Sequence, residues 1–478
     1  MRKRPRRQPR QGILRFVIRY ANGEVVTARA GLPLLVEAAR AVRLDKVVEQ
    51  KLKVGKRQRG FSDVEKLEAL LVLLAAGGDR VEDIRILAED KGLQQLLGKE
   101  LPSPDALLDF LHGFHDESLA KQRPKDALSW VPEESAALLG LAEVNRVLVE
   151  RAATAKEKTA TIDHDGTIIE SHRQGARVAY EGTRGYQPLV AVWAEQDLIV
   201  CDEFRDGNVP GDKDPLSSVK RAFEALPSWV ERRYFRADSA DYSTAVLKYL
   251  VNEGIGFSIS ADMSTQLRAC CTAVPEKQWT LLEVRPRELV HTAEVEFTSG
   301  EWPKGAAPLR YVALRFTPRQ QALVESEAVG AKYLAVVTNR PAPEMDQPPK
   351  GEEMTAAELV RWHWGKAGTI EHVHRSLKDE LGAGVLPSSC FAANAAWFRI
   401  NVLCFNLLTL LRRRALPERY RDARPKRLRF ELFTLPGRLT SHQSQLALNI
   451  SAEPARIEEM VAARGKLLAM RQAIERKR

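Results

Sequence analysis

The stretch from 161 to 260 constrains the fold more than any other part of the chain. Three β-type runs follow one another, 161–169, 186–194 and 198–205. Helix and strand patterns then alternate as helix 215–226, strand 232–237, helix 241–252 and strand 255–260. Strands joined by short turns pair antiparallel, whereas strands separated by a helix need a crossover and pair parallel. This order predicts an α/β domain, one mixed sheet with helices on its faces. Pro215 after Asp214 marks the first turn of the first helix, and Ser239 or Asp241 is placed to cap the second.

Chemistry-bearing residues sit at the ends of these strands. In the first run Asp163 and Asp165 are two positions apart and so share one face. A strand face that packs on a core rarely holds two carboxylates without partners. The strand Arg233 to Ala237 ends at a third carboxylate, Asp238. Carboxylates at strand ends, in a chain without a Cys/His cluster, suit a hard divalent cation such as Mg²⁺ better than zinc.

A further charged pair lies far downstream, in a helix pattern over 358–384. Ile370, Val373, Leu377 and Leu381 form an apolar stripe at steps of three and four. Glu371 and Lys378, seven positions apart, project from one flank beside it, and Gly382 supplies the stop. An ordinary amphipathic helix with a solvated flank shows the same pattern.

Taken in order, Asp in the first strand, Asp after a later strand, and Glu with Lys seven residues on in a helix, the chain resembles the DDE transposases of bacterial insertion sequences, in the group with a Tyr-Arg-Glu-Lys signature. The resemblance covers roughly 155–415 and includes the blocks Gly182 to Val190, Arg205 to Asn208, Phe235 to Ser239 and Asn394 to Trp397. It implies an RNase H-like catalytic domain with Asp165, Asp238 and Glu371 as metal ligands and Lys378 as a catalytic phosphate contact. Asp163 is the reserve for the first ligand. The signature's tyrosine position holds Trp364 and its arginine position holds Ala367, with Lys366 and Arg375 as nearby substitutes.

Further implications of the resemblance are two Mg²⁺ ions, with Mn²⁺ as a substitute, and double-stranded DNA as partner, both terminal inverted repeats and target. A homodimer in the DNA complex and a bacterial cytoplasmic, nucleoid-associated location complete that expectation. The alternatives within reach of the same residues are a metal-dependent nuclease that cuts without joining and an inactive DNA-binding regulator.

The rest of the chain fits a polyanionic partner. Net charge is +10, which favours association with nucleic acid and says nothing about fold. Arg2, Lys3, Arg4, Arg6, Arg7 and Arg10 crowd the start, and 412–429 holds nine basic residues against Glu418 and Asp422; a solvated tail is the bland reading of each. Cys201, Cys270, Cys271, Cys390 and Cys404 show neither a disulfide framework nor metal-ligand spacing. Cys390 to Leu411 is the most apolar long stretch, but Asn394, Arg399, Asn401 and Asn406 interrupt it, so it reads as a buried core helix rather than a membrane span.

The expected organisation is 1–155, a hairpin around Asn22-Gly23 followed by a mainly helical DNA-binding region; 156–262 and 351–415, two parts of the catalytic core; 263–350, a mainly β insertion; and 416–478, a basic C-terminal region. Within the insertion, Trp279 and Trp302 are candidates to stack on an unpaired base, against the plainer reading of packed aromatics.

Overall fold

The computed structural model describes residues 23–476 apart from 55–59, 123, 125–128, 180, 320–329, 345–349 and 443–444. Among these, nine strands make one mixed sheet: β1 (Thr159–Gly166), β2 (Leu189–Trp193), β3 (Leu198–Glu203), β4 (Arg232–Ala237), β5 (Gly256–Ser260), β6 (Thr280–Val284), β7 (Glu288–Val295), β8 (Arg310–Pro318) and β9 (Lys332–Thr338). Their spatial order is β6-β7-β8-β9-β5-β4-β1-β2-β3. β1 pairs antiparallel with β2 and β2 with β3, whereas β1–β4 and β4–β5 are parallel. The helices Pro215–Glu224 and Thr244–Asn252 supply the crossovers that parallel pairing requires.

The segment expected as an insertion extends this same sheet. β9 pairs antiparallel with β5, Val336 to Thr338 against Ser258 to Ser260, and β6 to β8 continue outward. β5 would otherwise present an unpaired edge of N–H and C=O groups. The mainly β character of 263–350 was visible in the sequence, but nothing local names a strand's partner. A helix within this segment, Thr265–Ala273 behind Ser264, was not expected.

One local expectation is corrected. Neither Ser239 nor Asp241 caps the helix after β4: Ser243 accepts from Val246 N at its start. Asp241 instead accepts from the ring of His164, 2.8 Å away. In the N-terminal hairpin, only the second run is described, as Val25–Thr27, and it pairs with Gly437–Leu439 of the C-terminal hairpin. The first run and the basic residues 2–10 lie outside the described residues.

The helix Pro104–His112 begins behind Ser103, which accepts from Ala106 N. Asp63–Ala76 starts at Ser62, which exchanges hydrogen bonds with Glu65. Together with Ala136–Ala152 these helices pack around Phe391–Leu410 and share one apolar core with the sheet. Phe391–Ala415 is long and apolar enough to cross a bilayer, yet its apolar window is wholly buried inside the chain. Its polar residues are matched: Asn406 accepts from Ile199 N and donates to Ile199 O, closing part of the edge of β3, and Arg399 binds Asp202 and Glu134. All five cysteines are free.

The basic run at 412–429 is not simply a solvated surface. Arg412 donates to Asp197 and to Arg421 O, Arg413 to Glu195 O, and Arg414 to Ala152 O and Ala153 O. Arg429 donates to Ala75 O, Leu74 O and Glu380 O. Several of these guanidiniums satisfy carbonyls that helix ends would otherwise leave bare.

Candidate active site

β1 carries its two carboxylates on one face, and the helix Ala356–Arg375 lies over that face. Asp163 is fully buried and accepts two bonds from Arg236 of β4, Nε at 2.6 Å and Nη2 at 2.8 Å, plus one from the Thr369 hydroxyl. Arg236 also donates to Trp362 O at 2.6 Å, which ties the helix to the sheet. As the reserve ligand, Asp163 is therefore fully engaged in an internal ion pair, leaving Asp165 as the carboxylate of this face that opens outward.

Asp165 ends the same strand, and Asp238 follows β4 directly. In each, one oxygen is held by the backbone and the other faces the same space: Gly166 N donates to Asp165 Oδ1 at 2.9 Å and Ala240 N to Asp238 Oδ1 at 3.0 Å. Between the Oδ2 atoms stands Lys366, its Nζ 3.5 Å from that of Asp165 and 4.0 Å from that of Asp238. Burial pushes the Asp165 carboxyl up and the charge of Asp238 adds to this, so that despite the pull of Lys366 it reaches about 6. The two aspartates line one cavity of about 370 Å³, whose wall also includes Asp212, Asp262 and Gln187.

The helix places its members unequally. Ile370, Val373, Leu377 and Leu381 are all buried, as the stripe predicts. Past Arg375 the helix widens to π spacing over Ser376–Glu380 before Gly382 turns it at φ +84°. Lys378, inside the widened turn, donates to Ile168 O at 2.8 Å just beyond β1. Glu371 is exposed on the same helix and is not joined to Asp165 or Asp238. Among the described residues no group of three His, Cys, Asp or Glu side chains is close enough to hold a metal ion. Thus Asp165 and Asp238 are brought together, Lys378 reaches the backbone just beyond Asp165, and Glu371 stands apart from the pair.

Three participants were not singled out from sequence. His374 lies three residues after Glu371, its Nε2 3.9 Å from Asp165 Oδ2, with neither ring nitrogen hydrogen-bonded. Burial first, then Lys366 and Lys378, lower its pKa to about 4, so the ring is neutral near pH 7. Its spacing from Glu371 on the same flank was a usable signal. Asp212 and Asp262 carry no such signal, because a loop and a strand end bring them to the cavity.

The insertion's aromatics are packed. Trp302 is buried and donates to Ala307 O; Trp279 donates to Val274 O and lies under the Arg315 guanidinium, 4.5 Å from its ring centre. Trp364, at the signature's tyrosine position, is covered by Arg285 at 4.9 Å.

Paired aspartates at the ends of two adjacent parallel strands offer hard oxygens of the kind that hold divalent cations. The chain belongs to the family described as transposase DDE domain, group 1, whose model matches residues 15–472. It is a transposase, an enzyme of DNA cleavage and transposition. A similar solved structure is the cryo-electron-microscopy synaptic complex of the piggyBac transposase with hairpin DNA, 12% identical, covering 93% of this chain and 81% of that one with a TM-score of 0.43. No curated protein matches the chain.

Proposed function

We propose that Asp165, Asp238 and Glu371 form the catalytic carboxylate set and that Lys378 binds a phosphate near the scissile bond, in an RNase H-like domain whose β3-β2-β1-β4-β5 order places the first two. The observation that carries this reading is the pair of Oδ2 atoms of Asp165 and Asp238 converging on one positive charge. Hard oxygens that share a cation in this way fit a divalent ion such as Mg²⁺, or Mn²⁺ in its place. When bound, two such ions stabilise the attacking and leaving oxygens of an in-line displacement at phosphorus.

The chain's own residues do the rest. Gly166 N and Ala240 N fix the aspartate orientations, and the Asp163–Arg236 pair holds the helix in place. The flank bearing Glu371 also bears His374 and Lys378, which do reach residues 165–168. This supports Glu371 as the third carboxylate, brought inward when DNA and metal fill the site.

The partner is double-stranded DNA, as terminal inverted repeats and as target, and two ends are paired by a homodimer, since one two-fold assembly matches two inverted repeats. The source is a bacterial insertion sequence of the Tyr-Arg-Glu-Lys group, and the place of action is the cytoplasmic nucleoid. A labelled duplex carrying the element's terminal repeat tests this. In Mg²⁺ the full-length protein is expected to release a 3′-OH end and join it to a plasmid, and to do neither in excess chelator. Cleavage without joined product would show a nuclease, and binding without cleavage a regulator.

A further inference from the structure

Lys366 holds a position unusual for a DNA-binding cation. Its side chain is 13% exposed, and its ammonium donates to His164 O at 3.3 Å while facing the Oδ2 atoms of both aspartates. The root of the side chain is fixed, because Thr369 and Trp362, on either side of it in the helix, are tied to Asp163 and Arg236. A cation directed into the sheet is thus built into the fold. Among the described residues, His374 also faces Asp165, its Nε2 3.9 Å from Oδ2 against 3.5 Å for the ammonium.

We infer that Lys366 is a cation placeholder: in the DNA-free protein its ammonium neutralises Asp165 and Asp238 and competes with divalent ions for the same oxygens. This rests on the reading of those aspartates as the ion-binding pair. Two close carboxylates repel each other, and one ammonium between them relieves that repulsion, most at Asp165, the more buried of the two. A divalent ion bonded to the same Oδ2 atoms at about 2.1 Å would stand beside the ammonium, and the two cations repel. The lysine stem is flexible, so the charge is free to swing outward toward the cavity mouth as the ion enters. The consequence is weak ion binding until DNA phosphates offer the ammonium another partner, which keeps the nuclease chemistry off in the absence of substrate.

The test is Mn²⁺ titration of the full-length, DNA-free protein, followed by electron paramagnetic resonance at neutral pH. Lys366→Met keeps the stem and drops the charge; it is expected to bind Mn²⁺ roughly tenfold more tightly than wild type, with Lys366→Gln shifting the same way and Lys366→Arg close to wild type. Adding Asp165→Asn to Lys366→Met should abolish the gain. Equal or weaker binding in both neutral variants, with Asp165→Asn and Asp238→Asn still weakening it, would overturn the placeholder and leave the ion site standing. Binding indifferent to the aspartate variants would overturn both.

Discussion

Asp163 and Arg236 are joined by two parallel hydrogen bonds across adjacent strands, 2.6 and 2.8 Å long, with both side chains almost wholly buried. Of the two carboxylates on one face of β1, the inner one is thus committed to structure and the outer one to the site. Removing one partner of a buried pair leaves the other charge uncompensated, at a cost of about 3–5 kcal/mol. Asp163→Ala is therefore expected to lower the unfolding free energy in urea by that amount. A loss below about 1 kcal/mol would mean that the pair does not hold the helix.

Two glycines of that helix separate packing from propensity. A Cβ on Gly368 would meet nothing within 4 Å, whereas one on Gly365 would stand 2.5 Å from Arg236 Nη1, which the ion pair pins. Gly368→Ala should raise stability by about 0.5–1 kcal/mol through helix propensity. Gly365→Ala should lose that gain and more. Thermal melts of the two variants compared with wild type decide it, and equal gains would show that Arg236 is free to move.

What the sequence made legible follows from how local each signal is. The stripe of Ile370, Val373, Leu377 and Leu381 and the strand Arg232–Ala237 depend on neighbours in the chain, and both appear as read. The approach of Asp165 to Asp238 follows from the parallel pairing of β1 with β4, which no local pattern names and which was expected only from the family resemblance. Interactions between distant segments were not legible: β9 against β5, Val25–Thr27 against 437–439, and Lys366 between the two aspartates. The basic run at 412–429 shows the same limit, because charge alone does not reveal whether an arginine faces phosphate or a carbonyl.

That distinction has its own test. Arg429 donates to three backbone carbonyls, so Arg429→Gln should cost about 1.5–3 kcal/mol of stability. An arginine that neutralised a phosphate would behave differently: its removal would flatten the dependence of log Kd on log salt by about 0.9. An unchanged slope is expected for this variant in DNA-binding titrations, and a flattened slope would return Arg429 to the DNA surface.

Glu134 sets a pH dependence. Burial would raise its pKa, but Arg399 and then Arg221 outweigh burial and bring it down to about 2. A carboxyl depressed in the folded state contributes stability that is complete above its unfolded value near 4.5 and is lost as pH falls from there toward 2. Glu134→Gln should accordingly cost on the order of 3 kcal/mol at pH 7, with the gap to wild type narrowing through about pH 4 to 2. Urea unfolding at about pH 7 and about pH 3 measures this, and a constant gap would assign the cost to shape rather than charge.

Whether Asp165, Asp238 and Glu371 act together on DNA is decided by strand cleavage and joining of a terminal-repeat duplex in Mg²⁺ by Asp165→Asn, Asp238→Asn and Glu371→Gln beside wild type. Each variant is predicted to bind the duplex as wild type does and to lose both reactions by at least about a thousandfold, the scale expected when charge stabilisation at a reacting phosphate is removed. Retained cleavage and joining in Glu371→Gln would contradict the three-carboxylate assignment and leave the third ligand to another group at the cavity.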